Sequence, residues 1–152
     1  MYASAHNERQ YVAQGAELQS GMTIGRLAKV AGLNVETIRY YQRRGLIDEP
    51  RKPLGGHRRY PADVVRKLAF IRRAQQLGFS LEEVKQLLQL ADGRHIRDTR
   101  ELAEKKHETL EARVAQLTKM RRHLARLIEA SRKARDGKDP IVDALFSEDE
   151  LD

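Results

Sequence analysis

Residues Met22–Tyr60 read MTIGRLAKVAGLNVETIRYYQRRGLIDEPRKPLGGHRRY, two short amphipathic segments on either side of a glycine, followed by a basic loop. Thr23 stands where a helix N-cap belongs, and Ile24, Leu27, Ala28 and Ala31 recur on one face of the helix that follows, leaving Arg26 and Lys29 outward. Gly32 ends this helix. Asn34 is placed to cap a second one over Val35–Arg44, with Gly45 leaving it in the left-handed conformation. Two helices joined by so short a turn form a helix-turn-helix. On the second helix Val35 and Ile38, with Leu46 beyond it, are expected to pack inward. Thr37, Arg39, Tyr40, Arg43 and Arg44 supply hydroxyl and guanidinium groups to the other side. After Pro50 and Pro53, the run Leu54-Gly55-Gly56-His57-Arg58-Arg59-Tyr60 reads as a turn and a short strand-like segment, a basic wing beside the second helix.

The charge distribution points to a polyanionic partner. The formal net charge is +7. Residues 22–91 carry 14 Lys and Arg against 6 Asp and Glu, residues 92–135 carry 13 against 7, and residues 136–152 reverse this with 1 against 7. A basic body with an acidic end suits a first half that faces phosphate and a C-terminus that keeps clear of it or shields a basic surface. Charge alone is equally compatible with RNA; the helix-turn-helix and the wing favour duplex DNA.

The remainder divides by its breaks. Residues 1–21 show no sustained period and are expected to be a flexible extension. Residues 22–91 form the DNA-binding domain, residues 92–136 a dimerisation helix, and residues 137–152 a loop and acidic tail. Within the domain, Pro61–Leu77 reads as a third helix with Val64, Leu68, Ile71 and Ala74 or Gln75 on one face, stopped by Gly78. Ser80-Leu81-Glu82-Glu83 has capping-box spacing and opens a fourth helix through Leu90. From Arg97 to Arg135 there is neither proline nor glycine. Ala103, Leu110, Leu117 and Leu124 recur every seven residues, Val114 and Ile128 begin a companion row, His107 and Arg121 interrupt it, and Met120 and Leu127 widen the stripe. A long solvated helix with one apolar stripe buries it against its own domain or a second copy; nearly forty residues beside a small domain favour a homodimer through Leu110, Val114, Leu117, Leu124 and Ile128.

The segment resembles the N-terminal domain of the MerR family of bacterial transcription regulators, in particular its mercury- and copper-responsive branches. The matching residues are Thr23-Ile24-Gly25 with Ala28, Ala31–Tyr41 across the turn, Arg58-Arg59-Tyr60, and Gln76–Val84 at the second helical pair. The similarity extends over roughly Met22 to Ile141. It implies a mainly α protein: a winged helix-turn-helix followed by a long helix that pairs as an antiparallel coiled coil between two subunits. It also implies a homodimer on a palindromic promoter spacer that activates or represses with RNA polymerase by distorting the DNA. On this pattern Thr37, Arg39, Tyr40, Arg43, Arg58, Arg59 and Tyr60 are the expected DNA contacts.

Where the resembling metal sensors carry cysteine, this chain has Ile96, Ser131 and Asp139, and it contains no cysteine at all. A hydroxyl and a carboxylate do not replace thiolates for soft ions such as copper(I) or mercury(II). A harder set of His95, Asp98, His107 and Asp139 has ligand types suited to zinc, nickel or cobalt, but isolated histidines on a charged helix are ordinarily solvated. No cofactor or metal is expected.

Other classes fit less well. An enzyme would need an acid, base or nucleophile constellation, and the chain lacks a phosphate-cradling glycine loop and any HExxH pair. A coiled-coil adaptor, or a non-specific nucleic-acid-binding protein without effector sensing, accounts for the long helix but leaves the helix-turn-helix and Arg58-Arg59-Tyr60 without a purpose. No apolar run approaches membrane-spanning length, and the first 21 residues are too polar for a signal peptide, so a cytoplasmic location is expected.

Overall fold

The computed structural model describes residues 21–135 and 137–147. The extension expected over residues 1–21, apart from Gly21, and the end of the acidic tail, residues 148–152, lie outside them, as does Asp136. The chain divides into two compact units at Leu102 and Ala103.

In the first unit, α1 (Ile24–Ala31), α2 (Val35–Arg43), α3 (Asp63–Gln76) and α4 (Leu81–Gln89) follow one another, with α1 packed on α2 and α3, and α3 on α4. Each expected cap is present. Thr23 accepts from the Arg26 amide and Asn34 Oδ1 from the Thr37 amide at 2.7 Å. Ser80 and Glu83 form the reciprocal capping box. These side chains occupy amides that the first helical turn leaves without a partner, and each contributes about 1 kcal/mol.

The helix ends share one device. At Gly32 the backbone turns left-handed, φ 65°, a conformation only glycine adopts without strain. The Gly32 amide then bonds to the Lys29 carbonyl and the Leu33 amide to that of Ala28. The same pair of bonds recurs at Gly45 and Leu46, closing α2, and at Gly78 and Phe79, closing α3. In each case the residue after the glycine is apolar and packs into or against the core: Leu46 is buried, and Leu33 and Phe79 are partly so. Chain reversal and core filling are thus the same event.

The core collects Leu27 and Ala28 from α1, Ile38 and Tyr41 from α2, Val64, Leu68, Ile71 and Ala74 from α3, and Val84 from α4, closed by Met22, Leu46, Ile47 and Tyr60. Val35, expected inward, is partly buried against it. Tyr41 extends its hydroxyl to donate to Gln75 Oε1 at 2.8 Å, which explains why the α3 face ends in both Ala74 and Gln75. Among the described residues there is no strand. The strand-like run expected in the wing is reduced to one antiparallel bridge, Met22 with Tyr60, because Pro50 and Pro53 and the glycine turn leave too few paired residues for a ladder.

The second unit contains most of α5 (Ile96–Lys133, 38 residues) and all of α6 (Pro140–Phe146). No residue of α5 is buried, and Leu110, Val114, Leu117, Met120, Leu124 and Ile128 are all exposed. The tail was expected to be irregular, but α6 is a helix: Asp139 Oδ1 accepts from the Ile141 and Val142 amides at 3.0 and 3.3 Å, and Pro140 occupies the first turn. Ala144 and Leu145 of α6 line a groove with Leu117, Met120, Leu124 and Leu127 of α5.

Two outcomes follow for the core. Ile71→Ala, at a site with no solvent exposure, should lower unfolding free energy by about 2–5 kcal/mol in urea denaturation, whereas exposed Leu77→Ala should change it by less than about 0.5 kcal/mol. The second concerns alkaline pH. Burial, and then Tyr40, push the Tyr41 phenol above its usual range, with Arg72 opposing. A folded-state pKa above the unfolded one favours the fold while the phenol is protonated, and that contribution is lost as pH rises past about 10. Denaturation midpoints should therefore fall on going from pH 9 to 11, and Tyr41→Phe should flatten that decline.

Candidate nucleic-acid interface

The α2 helix turns one face into the core through Ile38 and Tyr41, so the residues off that face are turned outward by the 3.6-residue period. Arg39, Tyr40 and Arg43 are accordingly exposed, Tyr40 by 42%. The Arg43 guanidinium stands 6.0 Å from the Tyr40 ring centroid, close enough for a cation–π contact that keeps both groups at the surface. Arg39 Nη1 pairs with Glu36 at 3.1 Å, both side chains being mostly exposed; an exposed pair of this kind exchanges readily for a phosphate. Thr37 is half-buried, and its hydroxyl donates to Asn34 Oδ1 at 2.8 Å, so it reinforces the cap of α2.

The loop after Pro50 is fastened at two points. Met22 and Tyr60 exchange two backbone hydrogen bonds, 2.9 and 2.8 Å, and Gly21 makes the approach feasible: a Cβ there would stand 2.9 Å from the Tyr60 carbonyl oxygen. At the other end Arg58 Nε donates to the Pro50 carbonyl at 3.0 Å and pairs with Glu49 at 3.1 Å, bridging the two arms of the loop.

Tyr60, expected from sequence as a DNA contact, is 2% exposed and borders the adjoining cleft from its floor. Its ring belongs to the core and its hydroxyl accepts from Gln42 Nε2 at 2.6 Å, so it ties the loop to α2 from beneath. A tyrosine beside two arginines reads as surface in a one-dimensional sequence, and the backbone pairing with Met22 turns it inward.

Together these contacts shape a cleft of about 650 Å³ lined by Arg39, Gln42, Arg43, Lys52, His57 and Arg58, with Thr23 and Glu49 among its other neighbours. Arg39, Arg43 and Arg58, chosen from sequence, thus come together. Arg59 is exposed but outside the cleft lining. Lys52, His57 and Gln42 were not singled out; the position of Lys52 and His57 in a Pro- and Gly-bounded basic loop was the available signal, whereas Gln42 has none in one sequence. The cleft is cationic, open and rimmed by rotatable donors, which suits phosphate oxygens and base edges.

Among the described residues no group of three or more His, Asp or Glu side chains is placed to hold a metal ion. His95 instead meets Asp98 at 3.2 Å and faces Asp92 at 3.8 Å. Ile96 opens α5 exposed, Ser131 lies in its last turn, and Asp139 is engaged as the cap of α6.

Residues 22–91 match the family model for MerR HTH family regulatory protein, and residues 65–127 that for MerR, DNA binding. The mercuric resistance operon regulatory protein of Shigella flexneri is 48% identical over 130 residues, covering 84% of this chain and 89% of that protein. The HTH-type transcriptional regulator ZntR of Escherichia coli K12 is 38% identical over 110 residues, 70% of this chain and 78% of that one. Two solved structures are similar: PbrR691 of Ralstonia metallidurans CH34 in complex with lead(II), with TM-score 0.72, 28% identity and coverage of 82% and 98%, and MerR of Bacillus megaterium MB1 in complex with mercury(II), with TM-score 0.64, 34% identity and coverage of 83% and 100%. No helix among the described residues is long and apolar enough to cross a membrane. With a helix-turn-helix whose outer face and adjoining loop form one basic cleft, and with relatives of this identity over most of its length, the chain belongs to the MerR family of DNA-binding transcription regulators.

Proposed function

We propose that this regulator binds a palindromic promoter spacer as a homodimer, acting in the cytoplasm together with RNA polymerase, and that it activates or represses by distorting the DNA between promoter elements. The observation that carries the reading is the convergence of Arg39, Arg43, Lys52, His57 and Arg58 on one cleft. In it α2 would enter the major groove, with Arg39, Tyr40 and Arg43 presented to base edges and phosphates, while Arg58 and Arg59 on the loop would meet the flanking backbone. Thr37 and Tyr60 position these groups from behind.

The exposed stripe Leu110, Val114, Leu117, Leu124 and Ile128 supports pairing with a second copy. With Met120 these are six large apolar side chains on one face of a solvated helix, a strong drive to association, and two-fold symmetry would match two reading heads to two half-sites.

The trigger differs from thiolate capture. Relatives include mercuric resistance regulators, but this sequence has no cysteine, and Asp139 already spends its carboxylate oxygen on two amides of α6. Soft ions select polarizable sulfur, so the regulator answers to a different signal or acts without one.

Two measurements test the assembly. Arg58→Ala should weaken binding to the operator, isolated by pulling down genomic fragments, and reduce the salt-dependence slope by about one unit if the side chain neutralises one phosphate; unchanged affinity and slope would take the loop out of the interface. Leu117→Asp would bring a carboxylate into the apolar seam at a cost of about 3–4 kcal/mol, raising the dimer dissociation constant by two to three orders of magnitude. Sedimentation of the unmodified chain as a monomer at micromolar concentration would overturn the pairing.

A further inference from the structure

The second unit carries a feature that DNA reading and pairing leave unused. Lys119, Arg122 and Arg126, with Ala115 and Thr118 between them, line a common surface depression on α5. By the helical period their Cα positions lie on the side opposite Leu117 and Leu124, with Lys119 and Arg126 also reaching the edge of the apolar groove. Among the described residues none of the three has a carboxylate partner: Arg126 bonds to His123 Nδ1 at 3.2 Å, and Glu129, the acidic residue nearest in sequence to Arg122 and Arg126, is taken by Arg132 and Lys133 at 3.7 and 3.3 Å. Like charges at these spacings repel along the helix. A surface of this kind draws an anionic partner.

One such partner is in the same chain. Beyond Ser147, the last described residue, the sequence Glu148-Asp149-Glu150-Leu151-Asp152 puts four carboxylates in five residues. The helix that leads to it, α6, shares a groove with Lys119 and Arg126 through Ala144 and Leu145, and Ser147 follows two residues later. Five extended residues reach about 17 Å, whereas Lys119 to Arg126 rises only about 10 Å along the helix. In an extended segment Glu148, Glu150 and Asp152 would also fall on one side, about 7 Å apart, a spacing close to the rise between Arg122 and Arg126.

We propose that residues 148–152 dock on the Lys119, Arg122 and Arg126 face of their own α5 and shield it from other polyanions, so that DNA is held by the reading head alone. The contact is between surface charges and is therefore screened by salt.

The absence of cysteine makes the test direct, because Leu151→Cys in the full chain accepts a single nitroxide spin label. In the ¹⁵N-labelled protein at low ionic strength, the label should broaden the amide signals of residues 115–126. The broadening should be lost at high salt, and equally when Glu148, Asp149, Glu150 and Asp152 are replaced by their amides, while α2 signals stay sharp. Dimers mixed from spin-labelled ¹⁴N chains and unlabelled ¹⁵N chains should show little broadening. Broadening confined to the mixed dimers would assign the segment to the partner and overturn the proposal. So would uniform sharpness, broadening on α2, or broadening indifferent to salt and to the amide substitutions.

Discussion

The reading head depends on how the Pro50–Tyr60 loop is fastened. A basic loop with two prolines and a glycine pair has no ladder of its own, and left free it would sample many orientations. The Met22–Tyr60 bridge removes that freedom at one point with two short backbone bonds, and the buried Tyr60 ring holds the bridge by apolar burial. Gln42 then couples the same side chain to α2. One residue thereby sets the distance between the helix and the loop, and the cleft that gathers Arg39, Arg43 and Arg58 is a consequence of that anchoring. Gly21 is part of the constraint, since a larger residue would push the bridge apart.

Much of the fold was legible because its signals are local. Caps at Thr23, Asn34 and Ser80 and stops at Gly32, Gly45 and Gly78 are written within four residues of the bonds they make, and the apolar faces of α1 and α3 follow from period alone. The site was legible to the extent that α2 is a regular helix: once Ile38 faces in, Arg39 and Arg43 face out. Legibility failed where partners are distant in sequence. Tyr60 is turned inward by Met22, and its hydroxyl is claimed by Gln42, 18 residues away. The helix α6 went unseen for another reason: its seven residues carry too few periods to register, although Asp139-Pro140 is in retrospect a helix start.

The loop after α5 has no thiolate to organise it. Asp139 has a structural task, capping α6, and the helix so started lies over the α5 groove at Met120 and Leu127. The segment after α5 is thus organised by a hydrogen-bonded cap.

The two units differ in self-sufficiency. The first encloses Leu27, Ile38, Leu68, Ile71 and Val84 without help, whereas α5 completes no core of its own. Anything that covers its stripe binds the folded helix and not the unfolded chain, and stabilises it in proportion to the logarithm of its own concentration. When that cover is a second copy, the melting of α5 becomes a function of how many chains are present. The abundance of the regulator would then set how much of it carries two reading heads in one particle, so that expression level itself becomes an input to promoter occupancy.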